Sequence, residues 1–243
     1  MEDRGQVGAD RDAPTAATAP GPTPLEAIGV LADQEVAVAP RLRHLELYTM
    51  RGLLTVLWHG EGDEHAAVVA CGGAMGGLLG PSGGLYHRLG VELVGHGIAT
   101  LRVSYRRPND LDACCLDVAA AVQLAVGNGA ERVVVFGHSF GGAVAVRVGV
   151  ALPQFVAGVV TFATQSAGCE LAGALAGRPL LLFHGDRDEI LPVDASAIVR
   201  DMAGSGELVV LPGDGHLLAK SGDILRERLL DWLPEVLSPA RDV

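Results

Sequence analysis

The chain has 243 residues, 49% of them hydrophobic and 19% charged, with 18 basic against 29 acidic side chains and a formal net charge of -11. That length suits one large α/β domain, and the apolar content excludes a disordered polar chain. The acidic balance excludes a protein that neutralises many nucleic-acid phosphates, and with Lys220 as the single lysine there is no polybasic run for a membrane surface. Cys71, Cys114, Cys115 and Cys169 have neither the number nor the spacing of a disulfide framework or a zinc site, and they read as reduced, buried thiols. The first 24 residues lack a charged start followed by an apolar run, and no later stretch reads as a membrane span, so a cytoplasmic protein is expected.

In chain order, residues 1–24 hold four prolines among Ala and Thr and read as a disordered tail. Residues 25–40 are a mixed lead-in with a short helix near 25–31, and the folded unit is expected over 41–243. Residues 45–49 and 53–58 flank Met50, Arg51 and Gly52, which predicts an antiparallel hairpin. Residues 66–71 form a continuous apolar run closed by Gly72 and Gly73, the pattern of a strand buried on both faces. A helix over 85–94 stops at Gly95 and Gly97, and a strand follows over 98–103. Residues 111–126 carry a long apolar stripe ended by Gly127. Strands are then expected at 133–136, 156–162, 180–183 and 208–211, with helices at 143–151, 195–202 and 224–233. This alternation predicts an α/β fold with a mostly parallel central sheet, helices on both faces and functional residues at the carboxyl ends of strands.

Gly137-His138-Ser139-Phe140-Gly141 follows one predicted strand and precedes a helix, the context that a G-x-S-x-G nucleophile elbow requires. A serine on a tight strand-to-helix turn needs neighbours without side chains, and the helix N-terminus beneath it offers partial positive charge to an oxyanion. The competing reading is a glycine-rich turn whose serine only caps a helix.

With this elbow the sequence resembles the α/β-hydrolase superfamily, in its small dienelactone-hydrolase-like or carboxylesterase-like branch, from Leu53 to about Leu233. The segment from His184 to Pro192 is similar to the family's H-G-x-x-D-x-x-V-P pattern and implies Asp188 as the acid, with Asp186 as competitor. Gly213-Asp214-Gly215-His216 is similar to the loop that delivers the catalytic histidine and implies His216 as general base for Ser139. The resemblance implies an oxyanion hole built from the backbone N–H of Phe140 and a second one from Gly73 or Ala74. No spacing among the histidines suggests a metal site, and no cofactor is expected. One departure stands out, since the family's H-G pair at the start of the oxyanion loop is Cys71-Gly72 here. A phosphate-binding reading of the same glycines lacks the G-K-[ST] that would support it.

Only a short stretch separates the strands ending at Phe162 and starting at Leu180, so no cap domain is expected. Met75, Leu78, Leu79, Phe140 and Leu191 are the candidate lining residues for a small-molecule acyl substrate. The expectation is a serine hydrolase of carboxylic esters or thioesters; an acyl-peptide hydrolase or acyltransferase with the same triad, or a scaffold that has lost activity, are the alternatives.

Overall fold

The computed structural model describes residues 21–238, so residues 1–20 of the tail expected over 1–24 lie outside the described residues. The lead-in belongs to the fold, which corrects the boundary expected at residue 41. Thr23 caps helix α1 (Pro24–Ile28) in a capping box with Glu26, and Gly29 ends it at φ 64°. Strand β1 (Val30–Ala39) then pairs antiparallel with β2 (Leu42–Thr49), which pairs in turn with β3 (Gly52–His59). The hairpin is therefore one half of a three-strand meander. β1 is an edge strand exposed at nearly every residue, so it lacks the buried alternation that reveals a strand in sequence.

β3 pairs antiparallel with β5 (Ile98–Ser104), and from there the sheet is parallel through β4 (Ala66–Cys71), β6 (Arg132–His138), β7 (Val156–Phe162), β8 (Leu180–Gly185) and β9 (Glu207–Leu211). The order across the sheet is β1-β2-β3-β5-β4-β6-β7-β8-β9. Helices α2 (Pro81–Leu93) and α6 (Gly222–Leu237) cover one face, and α3 (Leu111–Gly127), α4 (Phe140–Ala151) and α5 (Val193–Ala203) cover the other. β4 shows why the central strands read as unbroken apolar runs. Its Ala67, Val69 and Cys71 enter the α3/α4 layer, while Ala66, Val68 and Ala70 enter the α2/α6 layer.

The chain leaves β4 toward β5 on one side and later returns as β6 on the other, so β4 marks the point where strand order reverses. At such a point the loops beyond the carboxyl ends of neighbouring strands part and open a crevice. β7 and β8 are joined by residues 163–179, which carry only a single helical turn at Ala172–Leu175, and there is no cap. Among the described residues no helix is long and apolar enough to cross a membrane.

Candidate active site

Ser139 sits between the last residue of β6 and the first of α4, at φ 57° and ψ -121°. A non-glycine residue held there stores about 1–3 kcal/mol, which the surroundings must enforce. They do so by hydrogen bonds from Ser139 N to the Phe162 carbonyl (2.8 Å) and from Gly142 N to the Ser139 carbonyl (2.9 Å). The flanking glycines are steric necessities. A Cβ on Gly137 would lie 1.9 Å from the Gly141 carbonyl oxygen, and one on Gly141 would lie 2.3 Å from that of Gly72. Phe140 opens α4, so its N–H belongs to the helix's first turn, where donors lack intrahelical partners. Its side chain, expected to line the site, is instead buried in the core layer beneath α4.

His216 and Asp188 meet from two other loops, with Nδ1 of the imidazole 2.8 Å from Oδ2 of the carboxylate. Both side chains are almost fully buried. Oδ1 of Asp188 accepts the backbone N–H groups of Ile190 and Leu191, each at 2.8 Å. His184 packs beside this carboxylate, its Nε2 3.2 Å from Oδ2 of Asp188 and hydrogen-bonded to the Leu191 carbonyl at 3.0 Å, while its Nδ1 accepts from the Ser196 hydroxyl at 2.7 Å. Because both neighbours of Nε2 are acceptors, His184 carries its proton there. Burial raises the Asp188 pKa, but the Leu191 N–H, His216 and the Ile190 N–H together outweigh it and leave the carboxyl below its usual range. The competitor Asp186 is exposed and accepts from Gly213 N, away from the imidazole.

Nδ1 of His216 donates to the carboxylate, which leaves Nε2 as the free acceptor of the ring. The residue preceding Ser139 ties the elbow to this loop, since His138 Nε2 donates to the His216 carbonyl at 3.0 Å and the two rings lie 5.0 Å apart. Burial lowers the His138 pKa and favours this neutral donor form. Glu189 Oε2 accepts the His216 N–H at 3.3 Å. In sequence His138 and His184 stand only as members of the elbow and of the segment that carries Asp188, and nothing there singles out Ser196 or Glu189; their contacts depend on loops that meet only in three dimensions.

The glycine-rich loop after β4 passes beside the serine. A Cβ on Gly73 would lie 3.6 Å from Ser139 Cβ and 4.0 Å from its Oγ. Gly76 N closes a turn on the Gly73 carbonyl at 2.9 Å, with Ala74 half-buried between them. Of the expected lining residues, Met75 and Leu79 are 91% and 61% exposed, and Leu78 and Leu191 are half-buried. Ile190 and Leu217, beside Asp188 and His216, are also exposed and extend this apolar rim. Cys71 is fully buried with Sγ 3.2 Å from the Phe136 carbonyl, and burial pushes its thiol up to about 12, far from a reactive thiolate. An apolar hollow of about 560 Å³ between α1 and the end of α3 lies near the amino ends of β6 and β7, at the opposite ends of these strands from the serine.

The sequence profile described as Phospholipase/Carboxylesterase matches residues 118–221, a span that contains Ser139, Asp188 and His216. No curated protein sequence matches the chain. Among solved structures, Est1E from Butyrivibrio proteoclasticus superposes with TM-score 0.67 at 16% identity, covering 81% of this chain and 99% of its own. Dienelactone hydrolase from Anabaena variabilis gives TM-score 0.67 at 18% identity, covering 85% and 99%. An alpha-beta serine hydrolase homologue from Coxiella burnetii gives 0.62 at 19%, covering 80% and 99%.

Proposed function

We propose that this chain, which has the fold of the α/β hydrolases and matches the Phospholipase/Carboxylesterase profile over residues 118–221, cleaves carboxylic esters or thioesters through an acyl-enzyme, with Ser139 as nucleophile, His216 as base and Asp188 as the acid. The observation that carries this reading is the buried His216–Asp188 contact at 2.8 Å, one loop away from a serine in a strained turn. In the first half-reaction Ser139 Oγ attacks the acyl carbon and its proton passes to His216 Nε2. The tetrahedral intermediate collapses, the acyl–oxygen or acyl–sulfur bond breaks, and the imidazolium returns the proton to the departing alcohol or thiol. Water then repeats the sequence on the acyl-serine, giving its proton to Nε2, which passes it to Ser139 as the carboxylic acid leaves. Asp188 holds the tautomer and stabilises the imidazolium without taking the proton.

The oxyanion hole in this reading combines the N–H of Phe140 with that of Gly73, favoured over Ala74 by the proximity of Gly73 to Ser139. A capless site rimmed by Met75, Leu78, Leu79 and Leu191 suits a small or single-chain acyl group. A buried carboxylate held by two backbone N–H groups and paired with a histidine is a costly arrangement for a protein that only binds, which favours the enzyme over the scaffold. The test is turnover of p-nitrophenyl esters of graded chain length by the wild type and by Ser139→Ala and His216→Ala. Each variant is expected to lose about 10³-fold or more in kcat. Turnover that survives both substitutions, or no turnover of any ester or thioester by the wild type, would overturn the proposal.

A further inference from the structure

The loop after β4 begins with Cys71-Gly72 where the family resemblance leads one to expect His-Gly, so something else must hold its first peptides. Two buried phenols do so. Tyr86 on α2 donates its hydroxyl to the Cys71 carbonyl at 3.1 Å, and Tyr105, just beyond β5, donates to the Gly72 carbonyl at 3.0 Å. They are 1% and 5% exposed, and they approach from opposite layers of the core, Tyr86 from the α2/α6 side and Tyr105 from the α3/α4 side. Two successive carbonyls are thus each held by a hydroxyl from a different layer.

The geometry has a direct consequence for the donor beside Ser139. The Gly72 carbonyl and the Gly73 N–H belong to one planar trans peptide and point in opposite directions, so fixing the first fixes the second. Gly73 is the loop residue that runs against Ser139. Tyr86 also supports the far end of the loop. Its N–H bonds the Leu79 carbonyl at 3.1 Å, and its ring lies so close under Gly80 that a Cβ there would sit 2.5 Å from Cδ1. The ring itself is wedged against Phe136 and Phe162, with centroids 6.2 and 6.0 Å away. Burial raises the pKa of both phenols, with Cys71 adding to the effect, so both remain neutral donors across the working range.

We propose that Tyr86 and Tyr105 are positioning residues that clamp the Cys71 and Gly72 carbonyls and thereby aim the Gly73 N–H at the oxyanion formed on Ser139. The inference rests on the ester-hydrolase reading above. A merely structural role for the two hydroxyls, satisfying buried polar atoms, predicts lower stability alone; a positioning role predicts a selective loss in the transition state.

The experiment compares Tyr105→Phe and Tyr86→Phe, which keep the rings, with Tyr48→Phe, whose exposed hydroxyl bonds Glu46, as the control. The readouts are kcat and KM on a p-nitrophenyl ester, the inhibition constant of an alkyl boronic acid whose tetrahedral adduct on the serine carries the oxyanion, and Tm. Expected for either clamp variant is a fall in kcat of about tenfold or more with KM within about twofold, and a matching weakening of the boronate, while Tyr48→Phe behaves as wild type. The two variants test the clamp separately, so a folding defect in one leaves the other to decide. Clamp variants with wild-type kcat and boronate affinity, whatever their Tm, overturn the clamp while the hydrolase reading stands. A wild-type protein that neither turns over esters nor binds the boronate overturns the hydrolase reading, and the clamp with it.

Discussion

Replacing Asp188 by Asn keeps the volume of the side chain and exchanges one acceptor oxygen for a donor amide. Both oxygens are spoken for, Oδ1 by the N–H groups of Ile190 and Leu191 and Oδ2 by His216 Nδ1, with His184 Nε2 close by at 3.2 Å. The two backbone donors cannot reverse, so the amide oxygen stays on their side and the NH₂ faces the imidazoles. His216 can meet that NH₂ only by accepting at Nδ1, which moves its proton to Nε2 and removes the base that Ser139 needs. A wrong-tautomer histidine in a triad costs about 10²–10⁴ in kcat, or about 3–5 kcal/mol of transition-state stabilisation. Asp186→Asn retains an oxygen for Gly213 N at an exposed position and should change kcat by less than about threefold. Initial rates on a p-nitrophenyl ester, with Tm as the check on folding, separate the two. Equal losses from both substitutions, or a wild-type rate in Asp188→Asn, would refute the tautomer argument.

His59 offers a test through pH. It is 2% exposed, and burial, Arg102 and His87 together push its pKa down to about 4. The unfolded chain, with an ordinary histidine pKa of about 6.5, then binds more protons between these values, so stability should fall as pH drops through that window, by about 3 kcal/mol in total. His59→Gln should remove most of that slope in Tm measured from pH 7 to 4, and an unchanged slope would contradict it. The elbow offers a steric test: Gly137→Ala places a Cβ 1.9 Å from a backbone oxygen and should cost about 3 kcal/mol or more, lowering Tm by about 6 °C or more. Gly95→Ala, which meets nothing within 4 Å, should leave Tm unchanged, and similar shifts in both would contradict the crowding.

The central strands were legible in sequence because burial on both faces writes an uninterrupted apolar run, and β4 and β7 fall on the residues that the pattern predicts. The elbow was legible because its chemistry demands glycine at two fixed positions. β1 was hidden because an exposed edge strand has no buried face to mark it, and α4 starts three residues earlier than expected because Gly141 and Gly142 look like helix breakers. Gly142 is required there by contact, since a Cβ would meet Thr164 Oγ1 at 2.0 Å. The supports of the site were hidden for a different reason. His184, Ser196, Tyr86 and Tyr105 act through side chains that converge from separate elements, and no local spacing encodes such a meeting.

The most direct measurement is the mass-spectrometric mapping of the adduct left by a fluorophosphonate that reacts with activated serines. A single adduct on the peptide containing Ser139, lost in Ser139→Ala and retained in Asp186→Asn, is the predicted result. An adduct on another residue, or labelling that persists in Ser139→Ala, would contradict Ser139 as the nucleophile.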